Sequence, residues 1–213
     1  QATYHCRNRV AEAVGLPVQR DVVPMPVGGG FGGKFVLIEP LVAAAAVAAG
    51  RPVLLQYSRM DDFLNGNPAP DCRISVKLGA TKAGDLTAVE ADLVFDTGAA
   101  NGSPLQISAI LLGGSYKFPN LSIKGHEVLT HKPGAGAYRA PGAQQAAFAM
   151  ESAIDELARK LDLDPLEFRL RNCVEEGDLR PNGGAWPRIG LKESLLALRD
   201  HPAWTGRARA QAA

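Results

Sequence analysis

Residues 73–96 read RISVKLGATKAGDLTAVEADLVFD, and this stretch decides the fold class. Both of its ends alternate apolar and polar residues, the period of a half-buried strand, while KAGD at 82–85 supplies turn residues between them. The pattern predicts a β-hairpin over 73–80 and 86–96. LSIKGHEVLT at 121–130 is another alternating strand, and PVLLQYS at 52–58 reads as a buried one. Downstream the period changes. Ala147, Met150, Ile154, Leu157 and Leu161 recur at spacings of three and four, which predicts a helix over about 143–161. Asp164-Pro165, with Glu167 three residues beyond the Asp, opens a second helix, and LKESLLALRD at 191–200 forms a short last one.

Upstream, Thr3–Val14 reads as a helix stopped by Gly15 and Pro17, and RDVVPMPV at 20–27 as an extended, irregular segment. Glu39-Pro40 opens a helix that runs through Leu41–Ala49 and stops at Gly50. Hairpins followed by helices, without strict β-α-β alternation, point to an α+β fold with mixed or antiparallel sheets and packed helices. A chain of 213 residues can bury one sizeable core or two small ones. Residues of about 1–60 with 140–200, and those of 61–139, are the expected subdomains.

Composition narrows the function. With 23 basic against 22 acidic residues the net charge is +1, so the chain has no electrostatic footprint for nucleic acid or an anionic membrane. The longest apolar run, LVAAAAVAAG at 41–50, is too short and too rich in alanine to cross a bilayer. Cys6, Cys72 and Cys173 stand far apart and lack ligand spacing, which excludes an iron–sulfur cluster or structural zinc held by this chain. Such thiols fit a reducing compartment, the cytoplasm. The sequence starts at Gln1 without a Met, so a piece of a longer polypeptide is expected.

Residues 28–34, GGGFGGK, satisfy two phosphate-loop templates at once, G-x-G-x-x-G and G-x-x-x-x-G-K. Both fits are faulty. Phe35 stands where a P-loop needs Ser or Thr after Lys34, and Val53–Gln56 offer no acidic residue for a ribose. Five glycines in six positions still cost backbone entropy that a mere turn does not require, so some ligand is expected to approach the main chain. A second loop, KPGAGAYRAPG at 132–142, places Arg139 among small residues just before the long helix. A guanidinium, bare amides and a helix N-terminus together suit a large anion.

GGGFGGK, GRPVLLQYSR at 50–59, YKFPN at 116–120, AYRAPGAQQAAFAMESAIDELA at 137–158 and RLRNCVEEGD at 169–178 occur here in order. Together they resemble the molybdopterin-binding large subunit of the xanthine dehydrogenase/aldehyde oxidase family of molybdenum hydroxylases, over roughly Gln1 to Asp200. The resemblance implies a molybdopterin cofactor, as such or in its cytosine dinucleotide form, with iron–sulfur and FAD groups on partner chains or domains. It also implies oxidative hydroxylation with water as the oxygen source. The family's general-base Glu, in a distant G-x-G-E segment, and its second cofactor domain have no counterpart in residues 1–213, so the chain alone is expected to be inactive. A cofactor-free structural domain and a phosphate-loop nucleotide binder are the alternatives.

By the same resemblance Gln1, sixteen positions before Pro17 of VGLP, matches a Gln that hydrogen-bonds an oxo ligand of the metal. Gly30, Phe31 and Gly32 match the loop whose backbone N–H groups face metal and cofactor, and Arg139 matches the Arg of the [FY]-R-[GA] motif. Three substrate-pocket positions depart from xanthine-oxidising members: Phe35 replaces a Glu, Ile107 an Arg and Pro141 a Phe. Ala140 replaces the copper-binding Cys of carbon monoxide-oxidising relatives. A site stripped of its purine partners points to an aldehyde or N-heteroaromatic substrate. Glu151, Asp155 and Glu39 are weak substitutes for the base, and the four His residues (5, 126, 131 and 201) are scattered.

Overall fold

A computed structural model describes residues 1–17, 22–100 and 102–207. The fold is α+β. Strands β1 (Cys72–Ala80), β2 (Leu86–Gly98) and β3 (Asn120–Leu129) form one sheet in that order. The predicted hairpin is present: β1 and β2 pair antiparallel from Cys72↔Phe95 to Ala80↔Leu86, with an irregularity at Gly79/Ala80. Its turn closes through Thr81 N–H to Asp85 O and Gly84 N–H to Thr81 O. The helices are α1 (Thr3–Val14), α2 (Glu39–Ala49), α3 (Arg59–Asn65), α4 (Leu105–Leu112), α5 (Ala143–Lys160), α6 (Pro165–Asn172), α7 (Leu191–Arg199) and α8 (Pro202–Thr205). Among the described residues no helix is long and apolar enough to cross a membrane.

Backbone packing divides the chain into two units. The second comprises Cys72–Phe95, Pro104–His126 and the chain from Gly142 onward, and it holds the main core. The inward residues of β2, Leu86, Val89, Ala91, Leu93 and Phe95, are all buried, alternating as the sequence period requires. They pack with Leu112 of α4, Met150 and Ile154 of α5, and Phe168 of α6. Full burial of a side chain such as Leu93 or Phe95 contributes about 1.5–3 kcal/mol. The predicted α5 stripe is shifted at its start. Ala146, Met150, Ile154 and Ala158 are buried, whereas Ala147 is exposed, because the face turned to the core follows a strict spacing of four. Asp164 caps α6 as expected, accepting from the Leu166 and Glu167 N–H groups. Buried Asn172 then ties this helix to the hairpin turn, accepting from Leu86 N–H and donating to Gly84 O.

The first unit comprises Gln1–Asp71, Asp96–Ser103 and Glu127–Pro141. Helix α5 therefore groups with the hairpin rather than with residues 1–60, since its buried face is filled by β1, β2 and α4. In the first unit α1 packs on α2, and each helix ends at a glycine with positive φ, Gly15 (67°) and Gly50 (62°). Helix α3, legible in the Ser58/Asp61 capping box, was not expected. Segment 52–58 is not the buried strand expected from its composition: it carries no strand pairing among the described residues, and Leu54 is 91% exposed. β-branched and apolar residues make a strand only where a partner strand accepts their backbone hydrogen bonds. Of the expected extended segment at 20–27, Arg20 and Asp21 lie outside the described residues, and 22–27 form no regular element.

Candidate cofactor-binding site

Three stretches far apart in sequence meet within the first unit: the chain start, the glycine loop, and the arm formed by residues 128–139. Gln1 precedes α1, and its side chain reaches the loop, where Oε1 accepts from the Gly32 N–H at 3.1 Å. A Cβ on Gly30 would lie 2.6 Å from that same oxygen, so the glycine makes room for the carboxamide. Gly32 is buried at φ 92°, and a Cβ there would overlap the Ala137 carbonyl. Gly32 is thus required by close approach to the backbone, not by turn geometry alone.

The arm also reaches the loop. Arg139 N–H donates to Phe31 O at 2.9 Å, and the Arg139 guanidinium lies 5.8 Å from the centroid of the Phe31 ring. Phe31 itself is 63% exposed at φ 51°, and its N–H donates to no group among the described residues. Of the five described non-glycine residues with positive φ, Ala2, Phe31, Val36 and Ala140 flank this meeting point. Such backbone strain persists only where the surrounding structure holds it.

Sequence reasoning missed what supports the arm. Ala135 N–H donates to Thr97 O and Gly136 N–H to Pro68 O, both at 2.9 Å. Asn67 packs so close to Gly136 that no Cβ would fit, and its buried Oδ1 has no hydrogen-bond partner among the described residues. The only sequence signal was the density of glycine and alanine in KPGAGAYRA.

Of the predicted site residues, Gln1, Gly30, Phe31, Gly32 and Arg139 are brought together. Phe35 sits against α1, its ring centroid 5.2 Å from that of His5. Pro141 follows Arg139 on the same arm, half-buried. Ile107 lies on α4 in the second unit, 53% exposed. A cavity of about 550 Å³ opens beside the loop, with Gln1, Gly33, Lys34, Cys6, Glu39 and Tyr57 in its wall. Burial, with Glu39 nearby, pushes the Cys6 thiol up from its ordinary value.

The phosphate-loop alternative does not fit this geometry. Lys34 Nζ donates to Val27 O at 2.7 Å, closing the loop on itself instead of reaching outward. The next helix starts only at Glu39, so no helix N-terminus follows the lysine. Nor can Glu151 or Asp155 move freely as a base, since Arg169 holds both at 2.7 Å. Among the described residues no three His, Cys, Asp or Glu side chains converge on a metal position. A molybdenum centre held through its pterin needs no such cluster. This region instead brings together the exposed Phe31 amide, the Gln1 carboxamide and the Arg139 guanidinium.

Comparison with known proteins identifies the family. Residues 1–173 match the family described as "Molybdopterin cofactor-binding domain". The chain is 36% identical over 208 residues to a probable xanthine dehydrogenase subunit of Bacillus subtilis, covering 95% of this chain and 28% of that protein. It is 41% identical over 196 residues to an aldehyde oxidoreductase of Megalodesulfovibrio gigas, covering 89% and 22%. Among solved structures, quinoline 2-oxidoreductase of Pseudomonas putida 86 superposes with a TM-score of 0.88 at 30% identity, covering 99% of this chain and 28% of that one. The chain thus spans about a quarter of the length of these relatives.

Proposed function

The chain belongs to the family of molybdopterin cofactor-binding domains, and we propose that it works as one part of the molybdenum-binding polypeptide of a hydroxylase. The substrate class we assign is an aldehyde or an N-heteroaromatic compound, with water as the oxygen source. The carrying observation is that Gly32 N–H binds Gln1 Oε1 while Arg139 N–H binds Phe31 O, so that four matched residues share one small region.

Each residue then has a role that its chemistry allows. With Oε1 engaged by Gly32, the Gln1 carboxamide keeps its Nε2 donors for an anionic oxygen. The Phe31 N–H is a second such donor, fixed in advance by the arm. Arg139 adds a permanent positive charge beside a polyanionic cofactor. When bound, the cofactor supplies two-electron oxidation of a substrate carbon. Iron–sulfur and flavin groups on partner chains or domains would accept the electrons. The general base is assigned to a Glu elsewhere in the longer polypeptide, as in the family; without it residues 1–213 are inactive. These donors would suit the pterin as such or in its cytosine dinucleotide form.

The substrate class follows from what the pocket positions lack. Phe35 and Pro141 carry no side-chain hydrogen-bond partner for a purine, and a polar substrate loses much affinity in such surroundings. The test of the whole reading is metal and pterin analysis of the protein isolated as the cell makes it. Stoichiometric molybdenum in the wild type, lost in Arg139→Ala with the fold intact, is the expected result. Equal molybdenum content in both would overturn the assignment.

A further inference from the structure

The mechanism so far leaves one charged cluster unused. Asp96, near the end of β2, accepts from Thr130 Oγ1 at 2.6 Å and from Gly98 N–H at 2.9 Å through Oδ1. Its other oxygen, Oδ2, pairs with Lys132 Nζ at 2.8 Å, and Lys132 also lies 3.6 Å from Asp71. Thr130 and Lys132 sit on either side of His131, at the base of the arm that ends in Arg139.

The same stretch of β2 grips the arm by its backbone. Thr97 is buried and its hydroxyl donates to Val128 O. Thr130 N–H donates to Gly98 O, Ala99 N–H to Lys132 O, and Ala135 N–H to Thr97 O. A Cβ on Gly98 would overlap the Pro133 carbonyl. From there the arm continues through Gly136 and Ala137 to the Arg139–Phe31 hydrogen bond. We propose that Asp96 is a positioning residue for the cofactor site: by holding Thr130 and Lys132 it sets the reach of the arm, and thereby where Ala137 and Arg139 meet the glycine loop.

The physical case rests on what the contacts ask of the arm. Its tip is exposed and rich in small residues, so it has little side-chain packing of its own. Charge-assisted hydrogen bonds at its base therefore add to the backbone contacts that fix it. The Lys132 hydrogen bond first, then those of Thr130 and Gly98, hold the Asp96 carboxyl down at about 2, so the anchor is charged at any physiological pH. A displacement at the base carries to the guanidinium at the tip, and supporting residues around bound metals commonly change affinity tenfold or more.

This inference rests on the cofactor reading above for its functional meaning, but its structural core can be tested without it. Amide hydrogen exchange is followed in Asp96→Asn, Lys132→Met and Thr130→Val, with molybdenum content measured in parallel. We expect about tenfold faster exchange at the Arg139 N–H in Asp96→Asn and Lys132→Met, with β1 and β2 up to Phe95 unchanged. Molybdenum retention should fall by about tenfold in the same variants, and Asp96→Asn added to Arg139→Ala should cause no loss beyond that of Arg139→Ala alone. Wild-type exchange at Ala135–Arg139 in both charge variants would overturn the proposal. A wild-type protein without molybdenum, but with the expected exchange pattern, would instead overturn only the cofactor reading. Should Asp96→Asn fail to fold, Lys132→Met and Thr130→Val decide the matter by the same two readouts.

Discussion

The Gln1 side chain accepts a hydrogen bond from the Gly32 amide at 3.1 Å, across 31 residues of sequence. That one contact joins the chain start to the glycine loop and fixes which end of the carboxamide faces away from the loop. An acceptor held by the backbone leaves the two Nε2 N–H donors of the carboxamide for an anionic oxygen.

Two substitutions at this position separate folding from binding. Gln1→Glu keeps an acceptor for Gly32 but replaces the donors with a negative charge. Gln1→Ala removes both. Loop order, read by exchange at the Gly32 amide, should survive in Gln1→Glu and weaken by about 1 kcal/mol in Gln1→Ala, the net worth of one hydrogen bond. Molybdenum retention should drop in both variants. Retention in Gln1→Glu equal to wild type would show that the carboxamide donors do not face the cofactor.

Gly32→Ala should be more damaging than either. The new methyl group has no room beside the Ala137 carbonyl, and φ 92° disfavours any L side chain. Strain of this kind costs on the order of 1–3 kcal/mol. It should appear as a lower denaturation midpoint together with loss of cofactor. Gly28→Ala is the control: its φ of 69° is also positive, but its added Cβ meets nothing within 4 Å. If both variants behaved alike, close approach of the arm would not be the reason for glycine at 32.

The hairpin and α5 were legible in sequence because their periods are local and strict, and each buries one face against neighbours in the same unit. Helix α1 and the Asp164 cap were legible for the same reason: their stop and start signals lie in the adjacent residues. Segment 52–58 misled because its apolar composition describes a preference for pairing, and no partner strand lies among the described residues. Helix α4, LQISAILL, went unread because its residues are apolar nearly all round and show no period. At the site, glycine density located both loops. What sequence could not give was the pairing of Gly32 with Ala137, or of Asp96 with Lys132, since these join residues distant in the chain.

The Asp96 cluster also sets a pH response. An acid whose folded value lies below its ordinary one stabilises the fold above the ordinary value, and this contribution is lost as pH falls. For Asp96 the window runs from about 3.8 down to about 2. Lys132 and Asp71 are the charged groups that face it. Acid titration of the wild type should therefore loosen residues 130–139 within that window. Asp96→Asn should start looser and show a flatter response there. An identical acid profile in the two proteins would remove Asp96 as the titrating anchor.

The second unit has its own polar centre, and its effect should be on stability alone. The Tyr116 hydroxyl lies 2.8 and 2.9 Å from the Glu151 carboxylate oxygens, and Arg169 holds Glu151 and Asp155 with charge-assisted bonds. Burial, then the Glu151 carboxylate, push the Tyr116 phenol well above its ordinary value near 10. The ring is part of the core, so Tyr116→Phe keeps its packing and loses only the hydroxyl, for about 1 kcal/mol. Arg169→Met leaves two carboxylates without their cation. Glu151 is 40% exposed and Asp155 53%, so water recovers part of that loss. The cost should be about 2 kcal/mol, below that of breaking a fully buried pair. Urea unfolding of the two variants checks both magnitudes. Molybdenum content per folded molecule should remain at wild-type level in each. A specific loss of cofactor in folded Arg169→Met would mean that this network serves the site as well as the core.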